Sequence, residues 1–222
     1  MTKHLNINEL EDQFYDLEDV KDKPKTYSAI EITCPTAASP ANEDKNRYSN
    51  ILPNEEGRVI LNPTWRTRTN NYINASYCGD TEEGTKAHRW IATQCPLPST
   101  FDDFWQMVWE QRSGVIVTLL KLFENGYKKG DMYWPNRMGL SNVWGGITIT
   151  LVSQTPGNQE TITRRFSLTH NTTGETRRVT QLQFMGWPDF GTPSDARSIV
   201  ALYNLTELYR EESKVINLNG PV

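Results

Sequence analysis

The clearest chemistry in this sequence lies in the segment Phe184-Met185-Gly186-Trp187-Pro188-Asp189-Phe190-Gly191-Thr192-Pro193. Pro188 and Pro193 stiffen it, and Gly186 and Gly191 permit unusual backbone angles beside them. Such a stretch can move as a lid about defined ends. Asp189 is its only acid. A lone carboxylic acid on a closing lid suits general-acid catalysis: closure removes water, raises the carboxyl pKa and lets the group protonate a leaving oxygen. Proline, glycine and aspartate also fill ordinary surface turns, and these residue types alone favour the turn. Asp189-Phe190-Gly191 spells the metal-binding tripeptide of protein kinases. The Gly-rich phosphate loop, strand lysine and His-Arg-Asp loop that should precede it are absent, so that reading is rejected.

The elements that must position this segment can be read from periodicity. Short β-rich runs occur at Arg58 to Leu61, Arg89 to Thr93, Gly114 to Leu120 and Ile147 to Val152. Thr161 to Leu168 and Arg177 to Phe184 flank Asn171-Thr172-Thr173-Gly174, a hairpin turn region that leads directly into the acid segment. One helix is expected from a cap at Ser99 or Thr100 through Phe101, Phe104, Trp105, Val108 and Trp109. Another follows Pro193, with Ile199, Leu202, Leu205 and Leu208 as an apolar stripe. Residues 8–19 read as a helix capped by Asn8, with Leu10, Phe14 and Leu17 on one face. Residues 20–46 read as an extended connection anchored by Ile30 and Ile32. The expected class is α+β, one largely mixed sheet flanked by helices. The expected division is 1–44, a helix and connection, then 45–222, one domain.

Bulk properties exclude several functions. The chain has 222 residues, with 36% apolar and 23% charged side chains, the composition of a globular protein. Its net charge is −4 with no long basic run, so neither nucleic acid nor an anionic membrane is an expected partner. No apolar run approaches the roughly 18 residues of a membrane span. Cys34, Cys78 and Cys95 are odd in number with no paired spacing, and the start is not signal-like, so a cytoplasmic setting is expected. His4, His88 and His170 pair with no cysteine at ligand spacing, so no metal is expected. No cofactor is expected either.

Set beside the rest of the chain, the acid segment resembles that of the protein tyrosine phosphatases, Trp-Pro-Asp-Phe-Gly-x-Pro. Lys45-Asn46-Arg47-Tyr48 resembles the family's phosphotyrosine-recognition loop. Asn71-Tyr72-Ile73-Asn74-Ala75-Ser76 and Ile91-Ala92-Thr93-Gln94-Cys95-Pro96-Leu97 resemble two further motifs. Phe104-Trp105-Gln106-Met107-Val108-Trp109-Glu110 resembles its aromatic helix. Glu124-Asn125-Gly126, Lys128-Lys129 and Tyr133-Trp134-Pro135 resemble its Glu-x-Gly…Tyr-Trp-Pro stretch. The matches keep the family's order from about Lys45 to Val222. One alone would be weak, but six in order are very hard to obtain by chance.

The resemblance implies the family fold and hydrolysis of phosphotyrosine in proteins or peptides. A cysteine thiolate attacks phosphorus, an acid protonates the leaving phenolate, and water hydrolyses the phosphocysteine. Tyrosine's hydroxyl has a pKa near about 10, so its anion leaves poorly without a proton. By the same resemblance Asp189 is the acid and Trp187 the anchor of its loop. Tyr48 stacks on the substrate ring, Glu124 positions the phosphate-loop arginine, and Lys129 meets the acid loop. Asn50 stands where many relatives carry aspartate to hold the substrate backbone. Cys95 replaces a usual glycine and carries strain if that position needs positive φ. Asn74 braces the site. Read without the family, Lys45 to Tyr48 is a solvated turn, and Glu124 and Lys129 are solvated loop charges. Trp105, Trp109, Tyr133 and Trp134 are expected in the core, and Arg164, Arg165, Arg177 and Arg178 on solvated strand faces.

The family's nucleophile lies in His-Cys-x5-Arg, at a helix N-terminus that lowers the cysteine pKa to roughly 3.5–7.5. Six residues after Cys34, Cys78 and Cys95 come Pro40, Gly84 and Phe101, none of them arginine. The chain ends Asn219-Gly220-Pro221-Val222, which in relatives runs into the strand before His-Cys. The C-terminal part of the fold is therefore expected to be missing, an apolar slot to be left, and the chain alone to be inactive. The alternative is a non-catalytic fragment acting as a binding module. A dual-specificity or lipid phosphatase fits less well, because shallow-cleft members usually lack a loop like that of Tyr48. The oligomeric state is not legible.

Overall fold

The computed structural model describes residues 33–63, 70–81, 88–156 and 160–222, excluding the side chains of residues 80, 81 and 88. The helix expected over 8–19 and the anchors Ile30 and Ile32 lie outside them. In order come β1 (Arg58–Ile60), β2 (Tyr72–Thr81), β3 (His88–Thr93), α1 (Phe101–Glu110) and β4 (Val115–Thr118). The hairpin β5 (Phe123–Glu124) and β6 (Tyr127–Lys128) follows. Then come β7 (Ser141–Trp144), β8 (Ile147–Pro156), β9 (Thr161–His170), β10 (Thr176–Phe184) and α2 (Ala196–Val215).

The fold is α+β, and its strands divide differently from the single sheet expected. β1-β2-β3 form an antiparallel sheet, while β4-β10-β9-β8-β7 form a mixed one in which β10 runs parallel to β4 and antiparallel to β9. The physical reason lies between β3 and β4. The backbone of Val222 pairs with β3: Ile91 N–H donates to its carbonyl at 2.9 Å, and its own N–H donates to the Arg89 carbonyl at 3.2 Å. No described strand joins β3 to the open edge of β4. An apolar slot of about 520 Å³ remains there, walled by Trp90, Ile91, Val117, Leu119, Ile199 and Leu202.

The main core forms where the aromatic face of α1 meets the five-stranded sheet. Trp105 is fully buried and its indole N–H donates to the Tyr133 carbonyl at 2.8 Å. Tyr133 and Trp134 are buried beside it, so these rings are core, as their types suggest. Burial pushes the Tyr133 hydroxyl up to about 12 against opposing hydrogen bonds with Thr118 and Gln181, so it stays neutral. Thr100 caps α1 by position only, its hydroxyl accepting instead from the Leu97 N–H at 2.9 Å.

In α2, Asp195 caps the first turn by accepting from the Arg197 N–H. Leu202 is buried, with Ile199 and Leu205 packed beside it, whereas Leu208 is 56% exposed. Residues nine apart on an α-helix are rotated by about 180°, so the far end of a stripe spaced by threes faces away.

Residues 33–45 are not the extended connection expected. They turn into a 3-10 helix (Pro40–Lys45) whose neighbours Cys34 and Ala37 pack on Tyr72. Asn46 explains the docking. Its amide donates to the carbonyls of Ala37 and Asn42, and its oxygen accepts from the Tyr72 hydroxyl.

Two of the four hairpin-flanking arginines also depart from the expected solvated faces. Arg165 and Arg178 are exposed. Arg177 lies over the Trp109 ring at 3.7 Å and donates to the Trp109 carbonyl. Arg164 is 6% exposed. The register places it opposite Gln181, inside a cluster of amide side chains that accept from it.

Candidate active site

An open cleft of about 440 Å³ brings together Tyr48, Asn74, Gln94, Cys95, Lys129 and Asp189. The residues named come from the loop before β1, from β2, from the end of β3, from the chain just after the β5–β6 hairpin and from the acid segment after β10.

The loop carrying Tyr48 is held from beneath. Arg47 donates through Nε to the Cys95 carbonyl at 2.9 Å and through Nη2 to the Pro96 carbonyl at 3.0 Å. The same Nη2 meets the Asp131 carboxylate at 2.9 Å. Burial works against the charge on Asp131, but hydrogen bonds from Lys128 and Arg47 outweigh it and hold the carboxyl below its ordinary value. Lys45 pairs with buried Asp103 at 3.0 Å. Gln94 bridges the loop by accepting from the Arg47 N–H and donating to the Lys45 carbonyl, both at 2.8 Å. Asn74 donates to Asn46 and to the Ile51 carbonyl, both at 2.9 Å. This is not a solvated turn: two charged side chains turn inward, and Tyr48 is left 56% exposed at the cleft. Asn50 is exposed and does not line the cleft.

The acid segment is fastened to the β5–β6 hairpin. That hairpin turns on Asn125-Gly126, both with positive φ (51° and 81°), which is the demand of a two-residue primed turn. Lys129 Nζ meets Asp189 Oδ2 at 2.5 Å, and the Asp189 N–H donates to Glu124 Oε2 at 3.1 Å. The hydrogen bond to Asp189 raises the Lys129 pKa above its ordinary 10.5. With Asp189 ionised, the contribution of the Lys129 charge is therefore fully present below pH 10.5 and is lost as pH rises through the shifted value. Trp187 packs against the Leu182, Phe184 and Leu202 cluster. Gly191 has φ +90°, while Gly186 is needed for closeness instead: a Cβ there would lie 2.6 Å from Phe184 and closer still to Glu160.

Cys95 is not among the residues with positive φ, so cysteine carries no backbone strain there. Its Sγ fits because position 130 is glycine: a Cβ on Gly130 would lie 2.7 Å from that sulfur and 2.9 Å from Leu120 Cδ1. Burial raises the Cys95 thiol above its ordinary value, the opposite of what a thiolate nucleophile requires. Gly130→Ala is expected to cost about 1–3 kcal/mol by overpacking. Adding Cys95→Gly should relieve the part of that loss that comes from the sulfur, leaving the Leu120 contact. The double variant should therefore be more stable in a urea melt than the sum of the single losses, and additive losses would contradict the contact. Among the described residues no three His, Cys, Asp or Glu side chains converge to hold a metal ion.

Some of the site escaped sequence reasoning. Asp131, partner of Arg47, lies 84 residues away and no local spacing marks it. Glu160, which meets Gly186, is equally silent.

Residues 42–221 match the family model described as protein-tyrosine phosphatase. The chain belongs to the protein tyrosine phosphatase family. It is 38% identical over 195 residues to receptor-type tyrosine-protein phosphatase S of Gallus gallus, covering 86% of this chain and 12% of that protein. It is 36% identical over 222 residues to tyrosine-protein phosphatase 3 of Dictyostelium discoideum, covering 99% of this chain and 20% of that protein. The chain thus spans a small part of the length of these relatives. Among solved structures, the catalytic domain of human protein tyrosine phosphatase non-receptor type 18 superposes with TM-score 0.76 at 30% identity. That match covers 92% of this chain and 70% of that one. A structure of the same phosphatase in complex with HER2 phosphopeptides gives TM-score 0.77 at 31% identity, covering 90% and 72%. Among the described residues no helix is long and apolar enough to cross a membrane.

Proposed function

We propose that this tyrosine phosphatase domain, residues 45–222 of the chain, hydrolyses phosphotyrosine in proteins, with Asp189 as general acid. The observation that carries this reading is the placement of Asp189 on the cleft wall, tied to Lys129 and Glu124, with Tyr48 lining the same cleft. The phosphopeptides bound by the non-receptor type 18 enzyme support a phosphotyrosine peptide as the substrate class.

In this mechanism the phosphotyrosine ring stacks beside Tyr48, whose length suits an aryl phosphate better than the shorter phosphoserine. A thiolate attacks phosphorus. The P–S bond forms as the P–O bond to the phenol breaks, and Asp189 delivers its proton to the departing oxygen. Water then cleaves the P–S bond and releases inorganic phosphate. The thiolate is none of Cys34, Cys78 and Cys95, since none has arginine six residues on and Cys95 is held as a thiol. It belongs to a His-Cys-x5-Arg loop outside these 222 residues, whose arginine Glu124 would steady. Asn50 supplies no charge for the substrate backbone. A cytoplasmic setting accords with three free cysteines.

Residues 1–222 alone are expected to release no phosphate from a phosphotyrosine peptide. Joined to a His-Cys-x5-Arg segment, they should hydrolyse that peptide and leave the matching phosphoserine peptide intact. Turnover by 1–222 alone, or equal turnover of both peptides, would refute the reading. General-acid catalysis contributes on the order of 10² to 10⁴ in rate, far short of what a phosphate monoester needs, so Asp189 cannot act alone.

A further inference from the structure

Two rings meet the Lys129 ammonium besides the Asp189 carboxylate. Lys129 Nζ lies 5.9 Å from the centroid of Tyr127 and 5.8 Å from that of Phe190. Both rings are largely in water, Tyr127 at 71% and Phe190 at 87% exposure, so burial does not explain where they sit. They come from opposite sides of the contact. Tyr127 is fixed on β6 by its pairing with Glu124 across the Asn125-Gly126 turn. Phe190 belongs to the acid segment, next to Asp189. A cation within about 6 Å of a ring face is attracted by the ring quadrupole, and an aliphatic side chain of similar size offers no such attraction.

We propose that Tyr127 is a positioning residue for Asp189: with Phe190 it cages the Lys129 ammonium, and the caged ammonium holds the acid segment against the hairpin. The consequence for catalysis rests on Asp189 being the acid, whereas the cage itself does not. Each exposed cation–π contact shifts an equilibrium by about two- to fivefold. Without the Tyr127 ring, Lys129 samples more positions, and the Asp189 N–H is released from Glu124 more often.

NMR on the 222-residue chain tests this with no substrate present. Tyr127→Leu and Tyr127→Ala should speed amide exchange at Asp189 about two- to fivefold and lower the Lys129 titration midpoint, while Tyr127→Phe should match the unaltered chain. Phe190→Leu should repeat the effect from the second ring, should a Tyr127 variant fold poorly. Leucine behaving like tyrosine at position 127, or phenylalanine behaving like leucine, would overturn the proposal. Such a failure leaves the acid role of Asp189 standing, because that role is read only by turnover.

Discussion

Asp189→Asn is expected to lower kcat on a phosphotyrosine peptide by about 10² to 10⁴, in a polypeptide that joins this domain to its thiolate loop. The estimate follows from the leaving group. Phenolate departs unprotonated only with difficulty, since its conjugate acid has a pKa near about 10. Asparagine keeps the size of the side chain and a hydrogen-bonding oxygen toward Lys129 but has no proton to transfer. The fold should be unaffected, because Asp189 lies in a partly exposed segment outside every strand and helix. An unchanged melting curve with a collapsed kcat separates lost chemistry from lost structure. A fall in kcat below tenfold would remove Asp189 from the acid's role.

Arg164→Ala is expected to destabilise the domain by about 3–5 kcal/mol, measured by denaturant unfolding. The guanidinium donates to the side-chain oxygens of Gln154 at 2.7 Å, Gln181 at 3.1 Å and Gln183 at 2.9 Å. Its plane lies 4.6 Å from the Trp134 centroid. Burial pushes its pKa down, yet no carboxylate is needed, because three amide oxygens and a ring face replace water. Removing the side chain leaves the Gln181 and Gln183 oxygens buried without their donor and opens a cavity against Trp134. Gln181 in turn donates to Tyr133 and Thr118, and Gln183 donates to the Leu120 carbonyl. The network therefore ties β9, β10 and β4 together just before the chain enters the acid segment. A loss below about 1 kcal/mol would show that water or neighbouring side chains substitute for it.

Arg164 also shows where sequence reading reached its limit. A charged residue on a strand is normally solvated, and only the register against Gln181 shows that this one is not. By contrast, the runs that became β1, β3, β4, β8, β9 and β10 were legible, because β-branched and aromatic residues cluster between turn residues. The hairpin at 171–174 was legible from Asn171 and Gly174, and Gly174 indeed takes φ +72°. Strand β7 was not, since Ser141-Asn142-Val143-Trp144 is a short, largely exposed edge with little apolar pattern. The two-residue strands β5 and β6 were hidden for the same reason, although Asn125-Gly126 between them is a strong turn signal.

The candidate site divides in the same way. Asp189, Trp187, Tyr48, Glu124 and Lys129 stood out because family motifs mark them, and the structure brings Tyr48, Lys129 and Asp189 to one cleft, with Glu124 bonded to the Asp189 backbone. Asn50 stood out too, but it lies off the cleft wall. The pairing of Cys95 with Gly130 was invisible, because it joins β3's end to a loop 35 residues later and depends on a side chain that is missing.

The central claim is that Asp189 protonates the leaving oxygen, and a leaving-group series tests it most directly. The same polypeptide, with and without Asp189→Asn, would be assayed on aryl phosphates whose phenols span a range of acidity. The account predicts a large loss for unsubstituted phenyl phosphate that shrinks toward none as the phenol becomes more acidic, since an acidic phenol leaves without a proton. An equal loss across the whole series would contradict it, because a residue that only shapes the cleft has no reason to distinguish one leaving oxygen from another.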